Sequence, residues 1–197
     1  NPGLLIEILQ EALQEQNLSL DYQILNWSRS IEEAKLGKIH GIIGAYKEDA
    51  PGFIFPSKAL AISRDCFYGN KNLLWKFKNV ENLNGKRIGI IQDYAYGEPI
   101  QSLLSHPTKS QIFKAVSGDD ALQSNFKKLQ AGRLDLVLEN EFVGAYYLQK
   151  NSLQNVFSKK GCLDTKKIYV AFSPKKSESL KLAQILERYL TKIEQSG

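Results

Sequence analysis

The segment AKLGKIHGII, residues 34–43, decides the fold of this chain, because it ends a helix and starts a buried strand within a few residues. The pattern around it predicts a short helix over Ser28–Leu36, and Gly37 is a natural C-terminal stop for that helix. Ile39–Ala45 is then an almost continuous apolar run, which is typical of a buried parallel strand. A helix that leads directly into a buried strand is a building unit of α/β folds.

The segment LQAGRLDLVL, residues 129–138, repeats the same order of helix, glycine stop, basic residue and buried strand. Aligning Gly37 with Gly132 places Lys38 on Arg133. Two explanations remain open at this point. The chain contains either two similar lobes or two unrelated crossovers that use the same helix-stop chemistry.

Helices and strands alternate along the rest of the chain. Further helices are expected at Gly3–Gln16, near Glu98–Leu104, from the N-cap Asp119 to Ala131, around Phe142–Gln149 and at Ser177–Glu194. Further strands are expected at Asn17–Leu25, Lys58–Tyr68, Gly85–Ile91, Leu134–Leu138 and Lys167–Phe172. This alternation predicts an α/β fold with mainly parallel sheets.

Length and composition narrow the class of protein. The chain has 197 residues, of which 43% are hydrophobic and 24% charged, as in an average soluble protein. This composition does not favour a disordered or fibrous protein, and no apolar run has the length of a transmembrane helix. The length allows one large domain or two small lobes. The sequence contains no Met and begins with Asn1, so we expect a processed or trimmed piece of a longer protein.

The net charge of +5 comes from one part of the sequence. Residues 159–181 contain seven Lys against Asp164 and Glu178, and the remainder of the chain sums to zero. Aromatic or glycine-rich motifs of the kind that accompany basic residues in nucleic-acid binders are missing. We therefore expect a solvated basic face and no nucleic-acid partner.

The potential soft metal ligands are Cys66, Cys162, His40 and His106. Their spacings match no zinc pattern, so neither a structural metal nor a cofactor is expected. Spacing alone does not exclude a Cys–His nucleophile pair, although nothing positive supports it. The two cysteines could form a disulfide in an exported protein or could be two small buried hydrophobic residues, and both alternatives stay open.

Four segments share a common order and spacing with a known family. They are Trp27 to Gly44, Val80 to Ile91, Ala121 to Leu148, and Ile168 to Lys175 with the closing helix. Together they resemble the type II periplasmic binding proteins, specifically the family 3 solute-binding proteins of the polar amino-acid class. The resemblance covers nearly the whole chain.

The resemblance implies an α/β fold of two lobes joined by two crossing hinge strands, Ser63–Gly69 and Lys167–Ser173. Lobe one would comprise residues 1–64 and 172–197, and lobe two residues 65–171. Family members begin with a strand that has no counterpart here, so lobe one is expected to lack its usual first strand. Such a fold closes on a small solute in the cleft between the lobes.

The expected function is that of a periplasmic or otherwise extracytoplasmic receptor for a small polar solute, serving an ABC-type importer. The alternative is a ligand-sensing domain of a membrane signalling protein, so the protein partner is a permease or a signalling module. An enzyme on the same fold, or an effector domain of a cytoplasmic regulator, is a weaker alternative, and we expect a monomer without catalytic activity.

Candidate ligand-binding residues follow the carboxyl ends of the predicted strands, where open α/β sheets bind ligands. They are Tyr46, Lys47, Gln92, Asp93, Tyr94, Tyr96, Gly118, Glu139 and Asn140. Trp27 is a further candidate, because it precedes the short helix and could face the same cleft. Structural roles compete with these assignments. Tyr94 and Tyr96 could pack within their loop, Lys47 and Glu139 could be solvated surface residues, and Asp119 is better explained as a helix cap.

Comparison with the amino-acid-binding members identifies three differences in the expected site. The segment after the first strand, Ala45–Asp49, has no Arg to hold a ligand carboxylate. Gln92-Asp93-Tyr94 replaces the usual Gly-Thr, and Asn140 replaces an Asp that pairs with the ligand ammonium. These differences argue against a simple α-amino acid. Tyr46, Tyr94 and Tyr96 favour a ring-bearing, sugar-like or aromatic polar solute instead.

Overall fold

A computed structural model describes residues 3–196, and the chain divides into two compact units. The first unit comprises Asn1–Ile62 with Lys166–Gly197, and the second comprises Ser63–Thr165. Among the described residues, none of the helices combines the length and the apolar character that crossing a bilayer requires.

Six α-helices and eight strands are assigned within residues 3–196. The helices are α1 (Leu4–Gln14), α2 (Trp27–Lys35), α3 (Ile100–Ser105), α4 (Ala121–Gln130), α5 (Glu141–Lys150) and α6 (Ser179–Ser196). The strands are β1 (Gly41–Ala45), β2 (Ala61–Ser63), β3 (Asp65–Asn70), β4 (Ile88–Ile91), β5 (Phe113–Val116), β6 (Leu136–Asn140), β7 (Phe157–Cys162) and β8 (Lys166–Phe172).

The first unit contains a three-stranded sheet in the order β1-β8-β2. Strand β1 runs antiparallel to β8, with Gly41 opposite Phe172. The expectation that β1 is a parallel strand was therefore wrong, because its apolar run reports burial and carries no information on direction. Helices α1 and α6 pack together over a cluster that includes Leu9, Val170 and Leu186.

The predicted helix stop at Gly37 is confirmed. Gly37 follows α2 with φ +77°, a left-handed conformation that favours glycine. At the other end of α2, the Asn26 side chain accepts a hydrogen bond of 2.9 Å from the Arg29 backbone N–H. This cap fixes the start of the helix at Trp27, one residue before the predicted start.

The second unit contains a five-stranded mixed sheet in the order β5-β4-β6-β3-β7. Strand β4 runs parallel to β5 and β6, whereas β3 runs antiparallel to both β6 and β7. The expectation of mainly parallel sheets was therefore wrong. The sequence analysis also missed β5 and β7, because both are edge strands with few buried apolar residues and have no continuous hydrophobic pattern.

Three other local expectations are corrected. Residues 18–26 form no strand, and the apolar side chains of Leu18, Tyr22 and Ile24 are exposed. The long strand expected at Lys58–Tyr68 is two strands, β2 and β3, interrupted at Arg64. Helix α4 begins after Asp120, so this residue and not Asp119 occupies the N-cap position.

The basic run of residues 159–181 does not form a single solvated face. The Lys160 side chain is buried, and its ammonium donates hydrogen bonds to the backbone carbonyls of Lys71 at 3.0 Å and Leu73 at 2.7 Å. Burial lowers the pKa of this ammonium. Lys160 therefore fastens the loop after β3 to the edge strand β7.

A disulfide joins the central part of the second unit to its edge. Cys66 on β3 lies opposite Cys162 on β7, and the two sulfur atoms are bonded. The cysteines are 96 residues apart in the sequence, so the bond closes almost the whole second unit into one covalent loop. In the chain-entropy account, such a crosslink destabilises the unfolded chain by restricting its conformations.

We expect the Cys66→Ala/Cys162→Ala variant to unfold more easily than the native chain, by about 5 kcal/mol for a loop of this length. Urea denaturation followed by tryptophan fluorescence measures the change. The native chain should lose a similar amount of stability in dithiothreitol, whereas the double variant should not respond to the reductant. Equal sensitivity of both proteins to dithiothreitol would contradict a stabilising disulfide.

Candidate ligand-binding residues

The candidate residues are divided between the two units, and each set is described by itself. Trp27, Tyr46 and Lys47 belong to the first unit. The other seven belong to the second unit: Gln92, Asp93, Tyr94, Tyr96, Gly118, Glu139 and Asn140.

In the first unit, the chain turns sharply where β1 ends. Tyr46 is buried directly after β1, and its backbone N–H donates a 2.7 Å hydrogen bond to the Asp49 carboxylate. A single turn of 3₁₀-helix, Lys47–Asp49, follows. The carboxylate thus holds the turn closed and leaves Lys47 exposed on its outer side. Trp27, half-buried, is the first residue of α2.

Two lysine ammonium groups lie over aromatic rings near this turn. The Lys47 ammonium is 4.9 Å from the centre of the Tyr169 ring and 5.9 Å from that of Phe55. The Lys166 ammonium is 5.1 Å from the centre of the Tyr46 ring. Phe55 and Tyr169 themselves pack edge to face, with their centres 5.7 Å apart. Cation–π attraction therefore orders both lysines, and neither forms an ion pair with an acidic residue within residues 3–196.

Phe55, Lys166 and Tyr169 were not predicted as members of this cluster. Tyr169 lies opposite Ala45 in the antiparallel pairing of β1 with β8. A correct strand direction would have brought these residues together, whereas the expected parallel arrangement did not.

In the second unit, Asn140 connects three elements through its side-chain amide. Its Oδ1 caps α5 by accepting hydrogen bonds from the backbone N–H groups of Phe142 at 3.0 Å and Val143 at 3.5 Å. Its Nδ2 donates a 2.8 Å hydrogen bond to the Ser63 hydroxyl at the end of β2. Asn140 is thus held in a fixed orientation by bonds at both ends of its amide.

Glu139 is fully buried and supports Asn140 from behind. Its Oε1 accepts a 2.8 Å hydrogen bond from the Asn140 backbone N–H, while its Oε2 has no hydrogen-bond partner within residues 3–196. Burial raises the pKa of Glu139 from its ordinary 4.5 to about 8, and the negative charge of nearby Asp65 adds to the effect. The protonated, neutral form of Glu139 is therefore the major one at neutral pH.

The loop after β4 is built around a buried tyrosine. The Tyr96 side chain is only 1% exposed, and its hydroxyl accepts a 2.7 Å hydrogen bond from the Ile91 backbone N–H. Burial raises the pKa of this hydroxyl well above its usual value, so it remains protonated. Tyr94, half-buried, lies with its ring centre 6.0 Å from that of Tyr96.

The remaining candidates shape the backbone of neighbouring loops. The Gln92 backbone N–H extends the sheet by donating to the Val116 carbonyl at 2.9 Å. Asp93 has φ +64° and Gly118 has φ +97°, so both occupy the left-handed region. Within residues 3–196, no heavy atom other than those of Gly118 and its two chain neighbours lies within 4 Å of the position that a Cβ would take there, so conformation and not space requires glycine.

An ion-pair network lies at the start of α5. Arg64 donates to the two carboxylate oxygens of Glu141 at 2.7 and 3.2 Å, and the Lys159 ammonium pairs with the same carboxylate. These cations lower the pKa of Glu141 to about 2, so it is ionised at physiological pH. The sequence analysis did not identify this network, because its members come from β7, α5 and the break between β2 and β3.

Comparisons with known proteins give matches to solved structures. No protein-family model and no curated protein sequence matches the chain. A mutant of arginine-bound ArgBP from T. maritima superposes with a TM-score of 0.74 at 16% identity, over 97% of this chain and 84% of that chain. The fold is that of the type II periplasmic binding proteins. The predicted α/β fold class and the predicted resemblance to the fold of the type II periplasmic binding proteins are thereby confirmed.

Two further structures extend this agreement. A histidine kinase sensor domain with similarity to periplasmic binding proteins has a TM-score of 0.76 at 14% identity, over 98% of this chain and 80% of that chain. The substrate-binding protein of an amino acid ABC transporter has a TM-score of 0.69 at 16% identity, over 98% and 81% of the two chains. The same fold therefore occurs in proteins described as transport receptors and as sensors.

The buried Glu139 predicts a pH dependence of stability. The folded protein retains a proton that the unfolded chain loses above its ordinary pKa of 4.5, so the free energy of unfolding should fall as the pH rises towards about 8. The Glu139→Gln variant, which has no such proton, should be less sensitive to pH by up to about 1.4 kcal/mol per pH unit. Urea denaturation between pH 5 and pH 8, approximately the span of the shift, measures both slopes.

Asp164→Asn is the matched control, because Asp164 is exposed. This variant should retain the slope of the native chain. If the native chain and Glu139→Gln have identical slopes, Glu139 does not titrate between pH 5 and about pH 8.

The capping role of Asn140 gives a second prediction. Asn140→Ala removes the acceptor for α5 and should lower the free energy of unfolding by about 1 kcal/mol. Asn140→Asp keeps an acceptor oxygen and should lose less, although it no longer donates to Ser63. The Ser63→Ala variant measures separately how much the hydrogen bond from the Asn140 amide to Ser63 contributes to stability. Equal losses for Asn140→Ala and Asn140→Asp in urea denaturation would contradict the capping role.

Proposed function

We propose that the chain is an extracytoplasmic receptor that binds a small polar solute for an ABC-type importer. The observation that carries the proposal is the periplasmic-binding-protein fold over nearly the whole chain. In agreement with it, polar and aromatic side chains follow the carboxyl ends of β1, β4 and β6, where open α/β sheets bind ligands.

We assign the candidate residues two kinds of role. Exposed or half-buried side chains and open glycine positions would contact the solute: Trp27, Lys47, Gln92, Asp93, Tyr94, Gly118 and Asn140. The buried Tyr46, Tyr96 and Glu139 would position them. This distinction rests on burial, since a side chain that is almost inaccessible is better suited to holding a neighbour than to meeting a solute from solvent.

The chemistry of these side chains favours a ring-bearing polar solute. Tyr94 offers a stacking surface, and the cluster of Lys47 with Tyr169 and Phe55 offers an ammonium backed by aromatic rings. Ala45–Asp49 contains no Arg that could form a bidentate pair with an α-carboxylate. We propose simple binding without catalysis, in line with the named neighbours, which are binding proteins and a sensor domain.

The disulfide supports an extracytoplasmic location, because such bonds persist mainly in oxidising compartments. A sensor domain of a membrane signalling protein is the second candidate function. Two observations favour a sensor domain. The chain resembles the structure of a histidine kinase sensor domain, and Ala45–Asp49 contains no Arg that could hold the carboxylate of an amino acid. Deleting the gene separates the two functions: loss of uptake of the labelled solute supports an importer, and loss of a transcriptional response supports a sensor.

A thermal-shift screen with amino acids, polyamines, sugars and aromatic acids tests the receptor function. A solute that binds only the folded chain stabilises it by about 2.7 kcal/mol at a concentration 100-fold above its Kd. Tyr94→Ala and Lys47→Gln should each weaken the binding of that solute about tenfold, through loss of stacking and of the ammonium.

Tyr22→Ala and Lys109→Gln are the controls, because they remove an exposed tyrosine and an exposed lysine at positions outside the candidate set. Both should leave the Kd unchanged. The proposal fails if no compound in the screen raises the melting temperature. If a solute binds but Tyr94→Ala and Lys47→Gln behave like the controls, the receptor function stands and the residue assignment is wrong.

A further inference from the structure

Two chain segments of the first unit lie side by side on its surface. They are residues 35–40, which comprise the last residue of α2 and its connection to β1, and residues 173–181, which comprise the connection from β8 to α6 and the start of that helix. The Ser173 backbone N–H donates a 2.9 Å hydrogen bond to the His40 carbonyl. The His40 ring and the Glu178 carboxylate form a second contact of 2.8 Å. These contacts make the two segments one continuous surface.

The close approach of the two segments depends on Gly37. A Cβ built on this residue would lie 2.9 Å from the Cβ of Lys175, which is closer than ordinary packing allows. The left-handed φ of Gly37 would strain any other residue as well. The glycine that stops α2 therefore also brings Lys175 next to the lysines that flank this turn.

The joined surface is strongly basic. Its two segments contain five lysines and one glutamate, a formal charge of +4 with His40 neutral. The lysines are Lys35, Lys38, Lys175, Lys176 and Lys181. Among the ion pairs within residues 3–196, none uses any of these five ammonium groups. The formal charge of +4 is thus not neutralised by direct ion pairs to these lysines within residues 3–196.

Two leucines lie among these lysines and face solvent. Leu36 is 58% exposed and Leu180 is 59% exposed. We use the term basic patch for these two leucines together with the five lysines. Exposed apolar side chains surrounded by lysines are typical of protein surfaces that lie on membranes.

We propose that the basic patch docks the first unit onto the anionic headgroups of a phospholipid bilayer. Lysine is suited to this because its ammonium is a mobile point charge on a long flexible stem, which adapts to a fluid surface. The leucines would enter the boundary between headgroups and acyl chains. This contact with the bilayer requires neither a bound solute nor the protein partner that receives the solute.

The composition of the basic patch favours lipid over an acidic protein. Residues 35–40 and 173–181 contain no Arg, the residue that best reads carboxylates through two parallel hydrogen bonds. A patch that combines only lysines with exposed leucines matches a diffuse anionic surface with an apolar layer beneath it better than it matches a set of fixed carboxylates.

Vesicle sedimentation with the full chain tests the proposal. The protein should bind vesicles of phosphatidylcholine with about 30% phosphatidylglycerol and should not bind pure phosphatidylcholine. Binding should weaken between about 50 mM and about 300 mM NaCl, since salt screens the attraction. Lys175→Gln/Lys176→Gln/Lys181→Gln should weaken it by on the order of a hundredfold, about fivefold for each lysine removed.

The matched control is Lys78→Gln/Lys109→Gln/Lys127→Gln, which removes the same charge from exposed lysines of the second unit. It should bind within about twofold of the native chain, because its charges lie outside the basic patch. Lys35→Gln/Lys38→Gln tests the other segment independently. Leu36→Ser/Leu180→Ser should reduce the binding that remains at high salt. Melting temperatures confirm that each variant is folded.

The proposal is overturned if phosphatidylglycerol vesicles capture no more protein than phosphatidylcholine vesicles. It is also overturned if both triple variants lose binding equally, since net charge alone would then explain the attraction. Binding to soluble poly-glutamate in the absence of vesicle binding would assign the basic patch to an acidic protein instead.

Discussion

The hydrogen bond between the Glu139 carboxyl and the Asn140 backbone N–H holds the point where β6 ends and α5 begins. It lies at the end of β6, which is flanked by β3 and β4 in the sheet, so the carboxyl is shielded from water and stays protonated. With its backbone held in this way, Asn140 caps α5 and bonds Ser63. An ionised carboxylate in the same place would be costly, because one of its oxygens has no hydrogen-bond partner among residues 3–196. The half-buried Asn140 is thus held in part by a buried carboxyl group.

The same arrangement recurs in the loop after β4 and in the first unit. The buried Tyr96 hydroxyl holds the Ile91 backbone, and Tyr94 lies beside it. Asp49 holds the turn that carries Lys47, and aromatic rings order the lysine side chain. In each case a buried polar or aromatic group fixes the position of a neighbour that is accessible to solvent. Such preorganisation lowers the entropy lost on binding, which is why it is expected at a ligand site.

Patterns that depend on nearby residues could be predicted from the sequence, whereas contacts across the sheet could not. Gly37, the helix ends and the apolar strands β4 and β6 are visible in local sequence. The direction of β1 is not, because an apolar run looks the same in parallel and antiparallel pairing. That single ambiguity hid the cluster of Lys47 with Tyr169. The edge strands β5 and β7 were missed because few of their side chains are buried. Position after a predicted strand identified most of the candidate residues. Their burial, which distinguishes Glu139 from Asn140, is known only from the structure.

The lysine-rich run shows why a count of charges along the sequence has limited meaning. Residues 159–181 account for the whole net charge, yet the fold gives their lysines four different environments. Lys160 is buried on carbonyl oxygens, Lys159 neutralises Glu141, Lys166 lies over the Tyr46 ring, and Lys175 contacts the turn at Gly37. Two lysines that the run does not include, Lys35 and Lys38, complete the basic patch because Gly37 brings the two segments together. Electrostatic recognition depends on which charges share a surface. Here Gly37, which ends α2, determines which lysines lie together more directly than their order in the sequence does.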